Sequence, residues 1–315
     1  MKRILLAGGA GFIGSNLVVR LLEDGHDVVV VDSLLTGSRD NLADVADHPR
    51  LTIHERDATT AGELAGPFDI VFHLASPASP PHYMRYPLET LHAGSIVTER
   101  LLEVAHRDGA RFVITSTSEV YGDPHEHPQR ESYWGNVNPI GPRSAYDEAK
   151  RYAEALTMAY RSTFGADTGI VRLFNTYGPR MTPDDGRAIP AFATAALRGA
   201  PFRIHGSGTQ TRSLCFVDDA VDALVRMAFS DHPGPINIGS IEEQTLLGIA
   251  ELIAMLAGCE AEFAFEPRPV DDPERRRPDI TLAREVLGWY PKVPIRDGLA
   301  RTLDWYRTRL DLTMR

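Results

Sequence analysis

KRILLAGGAGFIGSNLVVRLLEDGHDVVVVD, residues 2–32, sets out a strand, a glycine turn, a helix and a second strand. RILLAGG (3–9) is an apolar run too short for a helix and reads as a buried strand. GSNLVVRLLEDG (14–25) repeats apolar residues at helical spacing and is closed by Gly25. DVVVVD (27–32) is a second buried strand. Gly8, Gly11 and Gly14 form G-x-x-G-x-x-G between the first strand and the helix. Glycines there let the chain turn tightly and bring backbone amides up to a pyrophosphate at a helix N-terminus. The second strand ends at Asp32. A carboxylate at that point can accept both ribose hydroxyls and would repel a 2′-phosphate, which favours NAD over NADP.

The same grammar continues outward. LTIHERD (51–57), DIVFHLAS (69–76) and RFVITSTS (111–118) follow as further strands, with helices expected between them. Uninterrupted Val/Ile/Leu runs indicate strands buried on both faces, hence a parallel sheet. The fold class expected is α/β, a doubly wound parallel sheet of the Rossmann kind with a smaller C-terminal substrate-binding lobe. Asp57, after the third run, stands where a carboxylate can accept from an adenine amino group, or where it serves only as a turn residue. A helix at about 145–164 and the strand TGIVRLFN (168–175) extend the pattern.

From about residue 176 the texture changes. YGPRMTPDDGRAIP (177–190) is a Pro/Gly-rich loop, and AFATAALRG (191–199) is a helix. The short segment FRIHGSG (202–208) follows, then a helix in FVDDAVDALVRMAF (216–229) and a strand in PINIGS (235–240). Two more helices, TLLGIAELIAMLAG (245–258) and IRDGLARTLDWYRTRL (295–310), flank a Pro/Arg-rich loop at 266–281. The expected division is an NAD-binding domain at 1–175, with 213–240 returning to it. A substrate-binding lobe of 176–212 and 241–315 caps the carboxyl edge of the sheet. That lobe is too small and interrupted to stand alone.

Composition narrows the partners. The chain has 315 residues, 24% charged, with a net charge of -10. Such a balance argues against nucleic acid or an anionic membrane surface as a partner. An anionic substrate must therefore meet a local arginine cluster. Two cysteines, Cys215 and Cys259, have no metal-ligand spacing, so no metal is expected and a reducing compartment is the simplest home. With no apolar run of about 18 residues and a strand starting at residue 2 or 3, the expectation is a cytoplasmic protein.

Chemistry enters at SAYDEAKRYAEAL (144–156). Lysines are rare here (Lys2, Lys150 and Lys292), and Lys150 falls four residues after Tyr146. On a helix these two share a face. An ammonium beside a phenol favours the phenolate, which would let Tyr146 take a proton from an alcohol. Two polar residues on a solvated helix face would look the same, so the pair needs support from elsewhere in the chain.

That support comes from HLASPASPPHYM (73–84), TSTSEVYGDP (115–124), YWGNVNPIGPRSAYDEAKR (133–151), FNTYGPRM (174–181), DDGRAIP (184–190), GSGTQTRS (206–213) and DDPERRRPDI (271–280). With the glycine motif and Tyr146-x-x-x-Lys150, these resemble the extended short-chain dehydrogenase/reductases that act on nucleotide sugars. Within them the closest resemblance is to the UDP-glucuronate decarboxylases, and it covers essentially the whole chain. The resemblance implies that Tyr146 is the catalytic base, with Lys150 as its partner and Thr117 bonding the carbon-4 oxygen. It implies a part in the decarboxylation for Glu119 and Arg276. Substrate contacts fall on Ser118, Asn175, Arg187, Arg212, Arg276 and Tyr83. Cofactor contacts fall on Gly8, Gly11, Phe12, Ile13, Gly14 and Asp32, then Ser33, Thr36, Gly37, Asp57 and Ala58. Leu74, Ala75, Ser76, Tyr146, Lys150 and Thr176 complete them. The chain departs from the family pattern at Ala7, Gly94, Val97 and His205.

The implied reaction is NAD-dependent conversion of UDP-glucuronate to UDP-xylose. Carbon 4 is oxidised, the β-keto acid loses carbon dioxide, and carbon 4 is reduced again. Glu119 is expected to aid proton handling at carbon 5, directly or through water. A uronate 4-epimerase would use the same Tyr146, Lys150 and Thr117. A 4,6-dehydratase usually has Asp-Glu where this chain has Ser118-Glu119, and a non-catalytic dinucleotide module would be expected to lose one of the three. Arg275, Arg276 and Arg277 could equally form one solvated basic loop. His73 reads as a core histidine, and Trp134 as packing or pocket wall. The resemblance implies a homodimer through the helix at 145–164 and its neighbour at about 88–107, with Tyr152, Leu156, Ala159 and Tyr160 as a second apolar stripe.

Overall fold

Strand β1 (Arg3–Ala7) lies at the centre of the molecule because its four last residues are apolar and wholly buried. The computed structural model describes residues 1–268 and 275–310. Among them β1 pairs in parallel with β2 (Asp27–Asp32) on one side and β4 (Ile70–His73) on the other. β3 (Leu51–Glu55) closes one edge beyond β2. β5 (Arg111–Thr117), β6 (Thr168–Leu173) and the strand Ile236–Ile238 follow beyond β4. All seven strands are parallel, and the order reverses between β1 and β4. In such sheets the crevice for a ligand opens at that reversal, beyond the carboxyl ends of the strands.

Burial follows position in the sheet. β1, β4 and β5 are covered on both faces; β1 and β4 are mostly apolar, and β5 runs from an apolar centre, Phe112–Ile114, to the buried polar residues Thr115, Ser116 and Thr117 at its carboxyl end. β3 departs from the expectation of a strand buried on both faces: as the edge strand it leaves Thr52, Ile53 and Glu55 exposed. The crossovers on either side of it also differ from the expected helices. They are 3₁₀ turns, Arg39–Val45 and Ala58–Glu63. Each has too few apolar positions to cover the sheet as a long amphipathic helix would.

Helix α1 (Phe12–Glu23) starts at the glycine turn and buries Leu17, Val18, Leu21 and Leu22. On the far side of β4, α2 (Pro80–Arg85) and α3 (Pro87–His92) lead through a π-helical turn, Ala93–Val97, into α4 (Thr98–Asp108). Helix α5 (Ser144–Phe164) packs against this arm. The approach is close: a Cβ on Gly94 would stand 2.3 Å from the carbonyl oxygen of Ala149.

The rest of the chain forms α6 (Ala188–Arg198), α7 (Val217–Ala228), α8 (Leu246–Ala257), α9 (Thr281–Leu287) and α10 (Ile295–Arg309). Its apolar residues do not make a separate core. One cluster runs from Ile4 and Leu17 through Phe202 and Ile249 to Trp289 and Tyr306. Three short strands bridge this region: Thr211–Ser213 pairs antiparallel with Glu243–Thr245 and in parallel with Arg275–Arg276. The middle of the expected loop at 266–281 (residues 269–274) lies outside the described residues.

Candidate active site

The loop after β1 turns at Gly8, whose φ is +85°. Its amide donates to the carbonyl of Val31 (3.0 Å), and the amide of Gly11 donates back to Gly8 (3.3 Å). Neither Gly8 nor Gly14 has room for a side chain. A Cβ on Gly8 would lie 2.6 Å from the amide nitrogen of Ala75, and one on Gly14 would lie 2.0 Å from the Gly8 carbonyl oxygen. Asp32 locks this turn to β2: its carboxylate accepts from the amides of Ala10 (2.9 Å) and Leu34 (2.8 Å). Each carboxylate oxygen keeps a second acceptor site for a hydroxyl.

Above the turn opens a cleft of about 890 Å³, within the usual range of about 300–1,000 Å³ for small-molecule sites. Phe12, Ile13, Thr36, Gly37, Leu74, Ser76 and Thr176 line it together with Gly8, Gly11 and Gly14. Five of the expected cofactor contacts are not among its lining residues. Ser33 is exposed, and Ala58 is buried in the core. Ala75 packs beneath Gly8, and Asp32 sits beside the cleft-lining Gly37, its Oδ1 3.2 Å from a Cβ built there, with its second acceptor sites left for a ribose. Asp57 caps the 3₁₀ turn that follows it, accepting from the Thr59 amide at 2.8 Å.

The other wall carries the reactive groups. Tyr146, Lys150, Thr117, Ser118, Glu119, Asn175, Arg187, Arg212, Arg276 and Tyr83 all border the same cleft. Thr117 ends β5 and accepts from the Glu119 amide (3.2 Å), starting a short 3₁₀ turn. Its hydroxyl stands close enough to the Tyr146 phenol to favour the phenolate. The Tyr146 ring is stacked on that of Tyr83, with centroids 5.1 Å apart and an interplanar angle of 9°. Tyr83 is 1% exposed, so it supports Tyr146 more than it faces the cleft.

Lys150 corrects the expectation drawn from its spacing. Its ammonium donates to the carbonyl of Thr115 (2.9 Å) and lies 5.9 Å from the Tyr146 ring centroid. The phenol is not lowered. Burial pushes it up to about 12, opposed by the Thr117 hydroxyl and the charge of Arg187. Burial also brings Lys150 itself down to about 8.

Glu119 sits between two guanidiniums. Arg276 donates to both its oxygens (2.5 and 3.0 Å), and Arg143 donates to Oε2 (2.6 Å). Burial alone would raise its carboxyl, but Arg276 and then Arg143 overcome this and hold it down at about 2. Of the three consecutive arginines, Arg275 is exposed and Arg276 is 5% exposed, as strand alternation requires. The segment is held by Gln129, whose side-chain oxygen accepts from the Arg277 amide (2.9 Å) and whose carbonyl accepts from Asp279 (2.8 Å). Arg276 also lies in register with Arg212 on the adjoining strand. On the opposite side Arg187 is paired with the buried Asp185 (2.8 Å).

Two residues near the site escaped the sequence reading. Arg143 follows Pro142 just before α5 and looks like a loop residue, yet it is 9% exposed and borders the cleft. Asp147, in the first turn of α5, is 5% exposed. Neither position has a local signal beyond its place beside Tyr146. His73 is a core histidine: its Nε2 lies 3.0 Å from both the Ala93 carbonyl and Thr98 Oγ1, and burial brings it down to about 3. Trp134 is 89% exposed and forms neither packing nor cleft wall.

A parallel sheet with a dinucleotide turn facing a Thr–Tyr–Lys wall defines an NAD-using enzyme of the short-chain dehydrogenase type. Residues 4–239 match the NAD dependent epimerase/dehydratase family, and the chain belongs to that family. It is 50% identical over 309 residues to UDP-glucuronic acid decarboxylase 5 of Arabidopsis thaliana, covering 98% of this chain and 90% of that protein. It is 46% identical over 310 residues to UDP-glucuronic acid decarboxylase 1 of Danio rerio, covering 98% and 74%. Among solved structures it is similar to a variant of UDP-glucuronic acid 4-epimerase from Bacillus cereus, in complex with UDP-4-deoxy-4-fluoro-glucuronic acid and NAD. That likeness has a TM-score of 0.88 and 28% identity, and covers 98% of this chain and 99% of that one.

Proposed function

We propose that this protein is an NAD-dependent UDP-glucuronate decarboxylase that forms UDP-xylose and carbon dioxide. The observation that carries the reading is the placement of two buried guanidiniums, Arg143 and Arg276, in the same cleft as Tyr146 and Thr117. An alcohol-oxidising pair and a cationic site for a carboxylate then face one sugar. Identity of 46–50% to proteins named as these decarboxylases supports it.

The glycine cradle fits NAD, because a side chain on Gly8 or Gly14 would fill the turn that must admit a pyrophosphate. Gly8, Gly11 and Gly14 would hold that pyrophosphate, and Asp32 the ribose. NAD, when bound, takes the carbon-4 hydrogen with its electron pair and later returns it, so the net reaction is redox-neutral.

The residues supply the remainder. Tyr146, in the phenolate form that the positive charge of bound NAD would favour over the neutral phenol of the empty cleft, takes the proton of the carbon-4 hydroxyl and returns it after reduction. Thr117 and Tyr146 hold the carbon-4 oxygen by hydrogen bonds and polarise the ketone. The ketone makes the sugar a β-keto acid, so the electron pair released as carbon dioxide leaves is delocalised onto that oxygen, and it returns to carbon 5 when that carbon takes a proton from solvent water in the cleft. Glu119, held ionised between two arginines, has no proton to give at neutral pH. Its part is to set Arg143 and Arg276 against the substrate. Asn175 Nδ2 is buried without a hydrogen-bond partner among the described residues, which suits a substrate oxygen.

We further propose a cytoplasmic homodimer. No helix among the described residues is long and apolar enough to cross a membrane, and both cysteines are free. Leu88, Leu91 and Ile96 on one arm, with Tyr152 and Met158 on α5, are exposed apolar side chains on adjoining elements. Of the expected stripe, Tyr152 and Ala159 are exposed, whereas Leu156 and Tyr160 pack partly on the protein's own core. The functional reading is tested by incubating the NAD-loaded protein with UDP-glucuronate. UDP-xylose with equimolar carbon dioxide is expected; UDP-galacturonate without gas would make it an epimerase.

A further inference from the structure

Four charged groups meet beside Tyr146. Glu119 lies on the turn after β5, Arg143 at the start of α5, Arg276 on the strand Arg275–Arg276, and Asp147 on the first turn of α5. Glu119 is satisfied by both arginines. Asp147 is not: its Oδ1 is buried with no hydrogen-bond partner among the described residues. Burying an ionised carboxylate without such bonds is costly. The groups acting on it are Glu119 and Glu148, which repel its charge, and Arg143 and Arg276, which attract it. Tyr83 and Tyr146 face it as neutral phenols.

Counting charge gives the consequence. With Asp147 ionised, two carboxylates balance two guanidiniums and the cluster is neutral. With Asp147 protonated, the cluster carries one positive charge, which is what a sugar carboxylate needs. A carboxylate arriving beside Arg276 adds a negative charge to a buried site and disfavours the ionised form of any carboxyl there.

We infer that Asp147 takes up a proton from solvent when an acidic sugar nucleotide binds, so that it tunes the cleft for a carboxylate-bearing sugar. The inference rests on the functional reading above. Asp147 acts through Arg143 and Arg276 and does not itself touch the sugar. Its titration lies in the right range: burial and then Glu119 push its carboxyl up to about 7, against the pull of Arg143 and Arg276. The position in the first turn of α5 also favours the anion, but burial is the larger effect.

The test is calorimetric titration of the NAD-loaded Tyr146→Phe protein, which holds substrate unreacted. It is run in two buffers of different ionisation enthalpy at about pH 7.5. UDP-glucuronate should take up a fraction of a proton on binding, while UDP-glucose, with the same phosphates and no carboxylate, should take up none. The dissociation constant for UDP-glucuronate should rise by up to about tenfold per pH unit above the carboxyl's titration, and that for UDP-glucose should stay level. Adding Asp147→Asn should abolish both the uptake and the pH dependence. Uptake that persists in Asp147→Asn, or that is equal for the two ligands, overturns the inference. If Asp147→Asn does not fold, the contrast between the two ligands decides alone. Failure to bind or decarboxylate UDP-glucuronate at all sinks the functional reading and this inference together. Decarboxylation without linked proton uptake sinks only the inference.

Discussion

Glu119 keeps its charge because two guanidiniums face it, and this fixes what its removal does. Glu119→Gln leaves Arg143 and Arg276 buried beside a neutral amide. Losing one member of such a group costs about 3–5 kcal/mol, to be read from chemical denaturation at neutral pH. The pH dependence has a definite sign. The folded carboxyl is held down at about 2 from 4.5. Its contribution is therefore present above the ordinary carboxylate range and is lost as pH falls from about 4.5 toward about 2. Glu119→Gln should lose that part of the acid slope, and an unchanged slope would show that the arginines do not hold the charge. Tyr146→Phe should lower kcat by about 10²–10⁴-fold while leaving thermal unfolding little changed. At this scale the sequence named Tyr146, Thr117 and Arg276 as candidates through their motifs. It could not show that Lys150 donates to the Thr115 carbonyl or that Glu119 sits between two arginines, because a side chain's charge depends on burial and on partners distant in the chain. Arg276 is 157 residues from Glu119.

The elements around the site depend on close backbone approach. Gly94 lies in the π-helical turn and meets Ala149, the residue before Lys150. A methyl group there would press on a backbone carbonyl at 2.3 Å. Gly94→Ala should therefore destabilise by about 1–3 kcal/mol and lower kcat by shifting Lys150, whereas Gly109→Ala should leave kcat unaltered. Gly109 has nothing within 4 Å of its would-be Cβ, although its φ of +63° adds a small strain of its own. Equal loss of kcat in both would mean that the Gly94 contact does not position the catalytic helix. The strands of the sheet were legible as uninterrupted apolar runs and its long helices from their period of 3.6, whereas the two crossovers beside β3 are 3₁₀ turns. The short strand Arg275–Arg276 was not legible: two residues carry no period, and only pairing with Thr211–Ser213 makes them a strand. That pairing turns a basic run into one buried arginine between two more open ones.

At the scale of the whole molecule, one core joins the dinucleotide sheet to the substrate side, so both walls of the cleft belong to one packed body. Alternating strands and helices made this architecture readable, because each buried run had to find cover. The dimer proposed above predicts a sedimenting species of twice the chain mass, and Leu88→Glu, on a side chain 65% exposed, should convert it to monomer. A monomer in the unaltered protein would remove that proposal without touching the chemistry. The chemistry itself stands on oxidation and re-reduction at carbon 4 with proton entry at carbon 5. The direct measurement is turnover of UDP-glucuronate by the NAD-loaded protein in deuterated water, with the product read by NMR. The account predicts UDP-xylose carrying deuterium at carbon 5 and the original hydrogen at carbon 4. UDP-galacturonate with its carboxylate intact, or UDP-xylose with deuterium at carbon 4, would contradict it.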